Sequence, residues 1–393
     1  WYENQLASGK SNTYGVSIPG MPYILIGYNE NIAWGITNGQ TDVKDWYSLK
    51  FRNNNGEYFF NNNWIKPIKK IEKFKVLGSN DITDTVTYSK MGPIVYDYLF
   101  SLDSAKTNMA LNWIGHIPSN DFFTFYLLNN SKNYTDYSKA IKHLSCPNLN
   151  ISFASKKDIA ISHCGVIPQR NNNEGRFIID GTSGNINPQI KTIPLEALPL
   201  EKNPQKGYLF SANQKPVNET YQYELYGYYA IYRNRILDLK LSEKSKFSHS
   251  DFMKLQLSNY DLLAKEVLPV MLRNIDESLL NPQEKKLFEK LSLWTYNNDK
   301  DSIEPILFYS WWGNFYRECW DELNDQPILK PSNQTTIKLL ENENNNLYFD
   351  NKSTSEKETG KDILIQSLKL VLERYLTAEK KHGKTNWGMY KEV

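Results

Sequence analysis

The stretch from Ser17 to Tyr47 reads SIPGMPYILIGYNENIAWGITNGQTDVKDWY, and the rest of the chain is organised around it. Two prolines and a glycine near its start prevent a helix from beginning there. The apolar run Tyr23–Gly27 predicts a buried strand, and Ile32–Thr37 predicts a second strand after a polar turn, so the pair predicts a β-hairpin. A polar break follows, and Asp42 and Asp45 place two carboxylates beside it.

Length and composition limit the class of protein. The chain has 393 residues, 40% hydrophobic and 13% aromatic, which is enough for a sizeable core in one large or two ordinary domains. A net charge of +2 argues against nucleic acid as a partner. No apolar run approaches the ~18 residues of a transmembrane helix. Cys146, Cys164 and Cys319 show no metal-binding spacing, and either a Cys146–Cys164 bridge or reduced core thiols remain open.

The order of predicted elements indicates the fold class. Alternating apolar and polar residues predict strands in the first part, for example at Ile68–Leu77, and Gly207–Ala212 is the last clear candidate. Helical periodicity begins near Tyr223, with an amphipathic helix predicted over Tyr226–Leu239 and a capping box at Ser248 and Asp251. Strands first and helices second predict an α+β fold of packed layers.

No linker is evident in the sequence. We therefore predict one domain over residues 1–393, with a sheet-rich core at 1–240 and a mostly helical region at 241–393.

The usual motifs for nucleophilic or metal catalysis are not in this sequence. It contains no GxSxG, no HExxH and no phosphate-binding P-loop. His163 lies beside Cys164, which suggests a thiol–imidazole pair, but neighbouring residues on a strand point to opposite faces. A structural role for His163 is therefore favoured.

The spacing G-x-N-x-x-I-A-W-G-x-T-(x)4-D-(x)2-D, from Gly27 to Asp45, resembles the start of the catalytic chain of penicillin acylases. These are N-terminal nucleophile hydrolases, and the resemblance recurs in Gly207–Pro216 (GYLFSANQKP) and Tyr232–Ile236 (YRNRI). It implies an αββα sandwich with a mostly helical C-terminal part. It also implies amide hydrolysis by the first residue of the mature chain, whose own α-amino group is the general base.

Trp1 cannot attack a carbonyl. By the resemblance, we expect this chain to be a catalytic-chain fragment without the N-terminal nucleophile segment, the smaller (alpha) chain or the C-terminal end, and to be inactive as it stands. Family members are exported and cleave themselves from a precursor, which implies a periplasmic or extracellular location.

The resemblance carries three catalytic positions over to this sequence. The backbone N–H of Asn38 and the side-chain amide of Asn213 would form the oxyanion hole, and Arg235 would position that amide and the substrate. Without the resemblance, Asn213 is a turn residue before Pro216 and Arg235 is a solvated arginine.

The resemblance also implies a structural calcium site and no organic cofactor. Its matching ligands are the carboxylates of Asp42, Asp45 and Glu224 and the carbonyls of Lys44 and Gly175, a mixture that suits Ca²⁺. Read alone, the two aspartates are acids of a solvated loop.

Ile26, Ile36 and Tyr228 match pocket-lining positions and suit a hydrophobic acyl group, although core packing explains them almost as well. The implied substrates are β-lactam side-chain amides or acyl-homoserine lactones, and the sequence does not choose between them. One alternative is a catalytically inactive binding or structural protein on the same fold. Another is a carbohydrate-binding β protein, suggested by ten tryptophans and 26 tyrosines.

Overall fold

The computed structural model describes residues 1–9, 11–52, 56–95, 108–170, 175–183, 190–323, 329–342, 347–383 and 385–392. The chain divides into two compact units, Trp1–Ser245 and Lys246–Val393. The first unit contains the strands, and the second is built from helices. This boundary lies close to residue 240, where the sequence analysis placed the change; that the whole forms a single domain stays a prediction.

The strands are β1 Tyr2–Ser8, β2 Ser11–Ser17, β3 Ile26–Tyr28, β4 Ile32–Asn38, β5 Lys44–Ser48, β6 Phe51–Arg52, β7 Glu57–Phe60, β8 Asn63–Ile65, β9 Ile68–Phe74, β10 Ile82–Ser89, β11 Gly92–Val95, β12 Met109–Trp113, β13 Leu149–Ser155, β14 Ile159–Cys164, β15 Ile179–Asp180 and β16 Leu200–Lys202. The helices are α1 Asp121–Asn130, α2 Tyr134–Ala140, α3 Arg233–Ser242, α4 His249–Gln256, α5 Leu262–Arg273, α6 Pro282–Ser292, α7 Glu304–Cys319, α8 Asn333–Asn342, α9 Gly360–His382 and α10 Trp387–Lys391.

A seven-stranded antiparallel sheet has the order β1-β2-β3-β4-β13-β14-β16. The predicted hairpin is present as β3–β4, but its first strand begins at Ile26 and is not the buried strand Tyr23–Gly27 of the prediction. Strand β13 pairs with the other edge of β4. Helices α1 and α2 pack on this sheet through a core that includes Trp34, Leu128, Tyr137 and Phe153. The Tyr137 hydroxyl donates to the Ile151 carbonyl oxygen at 2.7 Å, so its polar atom is satisfied inside this core.

A second, six-stranded sheet has the order β15-β5-β12-β11-β10-β9. Strand β15 runs parallel to β5, and Ile179 pairs with Tyr47. This pairing brings the chain just before β15 close to the start of β5. A separate three-stranded sheet consists of β6, β7 and β8.

The second unit surrounds an aromatic core. Phe308, Trp311 and Phe315 of α7 are fully buried, and α7 packs against α9. The predicted capping box at Ser248 and Asp251 is confirmed at the start of α4. No described helix combines the length and the apolar composition needed to cross a membrane.

Two predicted elements are wrong. Gly207–Ala212 is not a strand, and the last strand of the first unit is instead Leu200–Lys202. The helix predicted over Tyr226–Leu239 begins only at Arg233. Its first part is held extended because Gly227 forms a bridge with Thr41, which commits the backbone to another segment instead of to a helical turn.

Candidate active site

Asn38 is the last residue of β4, where the strand leaves its neighbour β3. The Gly39 N–H donates to the Asn148 carbonyl oxygen of the chain entering β13, at 2.8 Å. In an antiparallel ladder the backbone groups of successive residues point alternately to the two sides. The N–H and C=O of Asn38 therefore point away from β13, beyond the end of β3. In this orientation the Asn38 N–H faces the edge of β4 that β3 no longer covers.

The side chain of Asn213 lies at the same edge. Its Nδ2 donates to the Asn38 carbonyl oxygen at 2.8 Å, and Nη2 of Arg233 donates to its Oδ1 at 2.7 Å. A guanidinium has no acceptor atom, so this contact settles which end of the amide is the oxygen. The residue has φ +67°, a left-handed conformation that asparagine tolerates better than most residues. Asn38 and Asn213, predicted from distant segments, are thus brought together.

An arginine of α3 contacts Asn213. Arg233, the first residue of the helix, makes this contact, and the resemblance implied such a role for Arg235. Residues two apart on a helix face about 200° apart, so the two side chains leave the helix in different directions. A catalytic role for Arg235 stays a prediction.

A buried polar network lies behind this edge, and sequence reasoning missed it. His163 is 2% exposed; its Nδ1 lies 2.7 Å from Asn150 Oδ1, and its Nε2 lies 2.8 Å from Thr41 Oγ1. Asn150 Nδ2 faces three acceptor oxygens, those of Thr37 (3.2 Å), Ser211 (3.2 Å) and Asn38 (3.3 Å). Polar residues interrupting apolar strands were the available signal, because a buried polar group requires a partner.

The order Thr41–His163–Asn150 resembles a hydroxyl–imidazole–amide triad. Because the Asn150 nitrogen faces acceptors, its oxygen accepts from His163 Nδ1, and Nε2 accepts from the Thr41 hydroxyl. Burial, however, lowers the pKa of His163 to about 4. An imidazole with that pKa is a weak base at neutral pH, so this arrangement favours a structural network over a nucleophile.

Cys164 does not join that network. Its Sγ donates to the Ser162 carbonyl oxygen, and burial raises the pKa of the thiol to about 12. The favoured structural reading of His163 agrees with these contacts, since the imidazole pairs with Asn150 and Thr41.

Gly39 is required by the close approach of β14. A Cβ at this position would lie 2.8 Å from His163 Cε1 and 2.9 Å from the Asn148 carbonyl oxygen, closer than real contacts. Any larger residue would push the end of β4, and with it Asn38, away from the imidazole.

The expected calcium ligands only partly converge. Asp45, 8% exposed, accepts from Nη1 of Arg170 through both carboxylate oxygens, at 2.6 Å each. Desolvation raises the pKa of Asp42, and its charge is within electrostatic range of Arg170 and Asp45. Gly175 lies against Arg170, whereas the described residues hold no group of three acidic, histidine or cysteine side chains able to bind a metal. Glu224, which is exposed, therefore does not complete a set with the two aspartates.

These residues do not fit a calcium site as they stand. Ca²⁺ takes six to eight oxygen ligands, and both oxygens of Asp45 are already occupied by a cation. The Lys44 carbonyl, the remaining expected ligand, belongs to the first residue of β5. Calcium binding stays a prediction of the resemblance.

The expected pocket residues differ in exposure. Ile26 and Ile36 are half-buried and pack against the core beneath α1 and α2, while Tyr228 is 72% exposed. The Tyr228 N–H donates to the Gln40 carbonyl oxygen at 3.1 Å, which places it beside the chain that follows Asn38. A separate open cleft of about 890 Å³ borders the polar network through Asn150, His163 and Ser211. Substrate contact by Ile26, Ile36 and Tyr228 stays a prediction.

Comparison with solved structures defines the class. Thermostable penicillin G acylase from Alcaligenes faecalis superposes with a TM-score of 0.74 at 18% identity, covering 97% of this chain and 73% of that chain. The chain therefore has the α+β fold of the N-terminal nucleophile hydrolases, as the resemblance implied. A family model described as Penicillin amidase matches residues 1–393, and the chain belongs to the penicillin amidase family.

The curated relatives are longer than this chain, which matches each of them over part of its length. Acyl-homoserine lactone acylase QuiP from Pseudomonas aeruginosa is 24% identical over 95% of this chain and 48% of its own length. QuiP from Pseudomonas fluorescens Pf-5 is 26% identical over 57% of this chain and 28% of its length. Penicillin G acylase from Escherichia coli is 23% identical over 72% of this chain and 35% of its length. The chain thus spans less than half the length of these relatives.

Proposed function

We propose that the full-length protein hydrolyses linear amides of a hydrophobic acyl group, with Asn38 and Asn213 as the oxyanion hole. The observation that carries the proposal is the 2.8 Å hydrogen bond from Asn213 Nδ2 to the Asn38 carbonyl oxygen. Through this bond the Asn213 amide, an oriented donor, lies beside the outward-facing N–H of Asn38. Family membership supports the reaction class.

The donors suit a developing negative charge. One hydrogen of Asn213 Nδ2 bonds to Asn38, and the second remains for a ligand. Arg233 fixes the plane of the amide, so the donor needs no reorientation during the reaction. Preorganised donors of this kind stabilise an oxyanion by ~2.7–4 kcal/mol each.

The nucleophile would be a serine outside these 393 residues, at the N-terminus of the mature chain. Its hydroxyl oxygen would form a bond to the acyl carbon while its own α-amino group takes the hydroxyl proton. An α-amino pKa of about 7.7–8.0 leaves a neutral fraction at neutral pH. The proton then passes to the leaving amine as the C–N bond breaks, and water hydrolyses the acyl ester.

The remaining features are proposals that rest on the family. They are a smaller chain from the same precursor, self-cleavage, a periplasmic or extracellular location, and either an acyl-homoserine lactone or a β-lactam side-chain amide as substrate. The names of the relatives support both substrate classes without deciding between them.

The test is to express the full-length gene and measure amine release from a panel of acyl-homoserine lactones and penicillin G. We expect the wild type to hydrolyse at least one member, and Asn213→Ala to lower kcat by ~10²–10³-fold. The melting temperature of this variant should fall by only a few degrees, because Ala loses two hydrogen bonds and is strained at φ +67°. Asn218→Ala is a matched control, because Asn218 is exposed and its side-chain oxygen accepts from the N–H and hydroxyl of the neighbouring Thr220.

Three outcomes would contradict the proposal. Unchanged kcat in Asn213→Ala would exclude the oxyanion assignment. A correctly processed wild type that binds these amides but releases no amine would favour the inactive binding protein. Loss of all activity in Thr41→Val, with Asn213→Ala active, would instead assign the nucleophile to Thr41.

A further inference from the structure

The guanidinium of Arg170 occupies the place where the resemblance expects a metal ion. Its Nη1 contacts both oxygens of Asp45 at 2.6 Å, and the two side chains are only 7% and 9% exposed. The backbone on the far side is fitted to it, since a Cβ on Gly175 would lie 2.6 Å from Arg170 Cζ. Gly175 has φ +78°, so both its conformation and the space favour glycine.

Backbone pairing anchors the residues that precede Arg170 in the sequence and the strand β15 that comes later. On the preceding side, Pro168 forms a bridge with Thr192, and the Gln169 N–H donates to the Lys191 carbonyl oxygen at 2.8 Å. On the following side, β15 pairs with β5, the strand that carries Asp45. The cation therefore joins the start of β5 to the segment Pro168–Arg170.

The same contacts disfavour a divalent ion. To bind Ca²⁺, Asp45 would have to release Arg170 and leave a buried positive charge without its partner, which is unfavourable. The other donors of the guanidinium, Nε and Nη2, are buried and have no hydrogen-bond partner among the described residues. These two N–H groups form the side-on fork of an arginine, which attracts acceptor oxygens and repels a second cation.

We propose that Arg170 supplies the positive charge of this site permanently, so that the protein is stabilised without calcium. The guanidinium neutralises Asp45, connects β5 of the second sheet to the segment Pro168–Arg170 and leaves its side-on fork for an oxygen acceptor. This inference concerns the stability of the fold and is independent of the proposed hydrolysis.

The first experiment uses the full-length wild-type protein. Its melting temperature is measured after dialysis against EDTA and again with millimolar CaCl₂, and its calcium content is measured after gel filtration. A ligand that binds only the native state raises the melting temperature. We expect the same melting temperature in both buffers and no stoichiometric calcium. Stoichiometric calcium, or a melting temperature that falls in EDTA, would overturn the proposal.

The second experiment removes the cation. Arg170→Met keeps the length of the side chain and should lower the melting temperature by about 5 °C in both buffers. Arg176→Met is the matched control, because Arg176 is exposed and stacks on Tyr226 at 4.5 Å. Arg170→Lys should fall between wild type and Arg170→Met, because it keeps the charge without the fork. Equal melting temperatures of the two methionine variants would overturn the proposal. If Arg170→Met does not fold, the calcium measurements on the wild type decide alone.

Discussion

Two polar sites follow β4 a few residues apart, and they are built from opposite chemistry. At Asn38 the side chains that contact the backbone are the neutral amides of Asn213 and Asn150, and behind Asn150 lies an imidazole whose pKa burial lowers to about 4. The guanidinium of Arg233 contacts only the far side of the Asn213 amide. At Asp45 the partner is a buried guanidinium. A site that receives a transient negative charge benefits from neutral, preoriented donors. A site that only joins two segments can use a full ion pair, provided that both charges stay together.

The largest expected effect comes from breaking the charged site. Asp45→Asn leaves Arg170 buried without a counter-charge, and we expect the free energy of unfolding to fall by ~3–5 kcal/mol in urea denaturation. Adding Arg170→Met to it should recover most of that loss, because both charges are then removed. Failure of the double variant to recover stability would mean that packing, not charge, dominates at this site.

The neutral site should respond to pH through His163. Its folded pKa, about 4, lies below the ordinary value of 6.5, so the unfolded chain binds the proton more tightly. Its contribution to stability is therefore complete above pH 6.5 and is lost as the pH falls towards 4. The full span is roughly 3 kcal/mol.

The slope of the free energy of unfolding against pH is measured by denaturation at a series of pH values. His163→Gln should remove the part of this slope that His163 contributes. The difference in slope between the variant and the wild type separates this part from the contribution of the carboxylates. An unchanged slope would mean that the pKa of His163 is the same in the folded and the unfolded protein.

The two arginines of α3 give a smaller, kinetic comparison. Arg233→Met frees the Asn213 amide to rotate, and we expect kcat of the full-length enzyme to fall about tenfold, or ~1.4 kcal/mol. Arg235→Met removes the same charge two residues away and tests the role that the resemblance implies for Arg235. A larger loss in Arg235→Met would support the role that the sequence analysis assigned to Arg235.

The smallest effect is expected at Ser211, whose Oγ lies 2.5 Å from Thr37 Oγ1 and 3.2 Å from Asn150 Nδ2. Ser211→Ala should lower the free energy of unfolding by ~1 kcal/mol, the usual value for one neutral hydrogen bond. A loss as large as that of Asp45→Asn would show that the neutral network is as cooperative as the ion pair.

Local patterns predicted much of the fold. The β3–β4 hairpin and the capping box at Ser248 follow from residues close together in sequence, and both are present. The failures at Gly207–Ala212 and Tyr226–Ala230 have different causes. The Gln214 side chain bonds to the backbone of Phe210 and Ala212, and the distant Thr41 and Asn213 bind the backbone of Gly227 and Ala230. No local periodicity reports such contacts.

The sequence by itself determined which donors the chain could offer: a non-proline residue after β4, an asparagine before Gln214, two arginines and two aspartates. Only the tertiary structure decided their partners. It chose Arg233 for Asn213, His163 for Asn150 and Arg170 for Asp45. The physical reason is that hydrogen bonds and ion pairs depend on ångström-scale distance and direction. For residues far apart in the chain, these are set by strand register and by the start of a helix, and spacing in the sequence does not encode them.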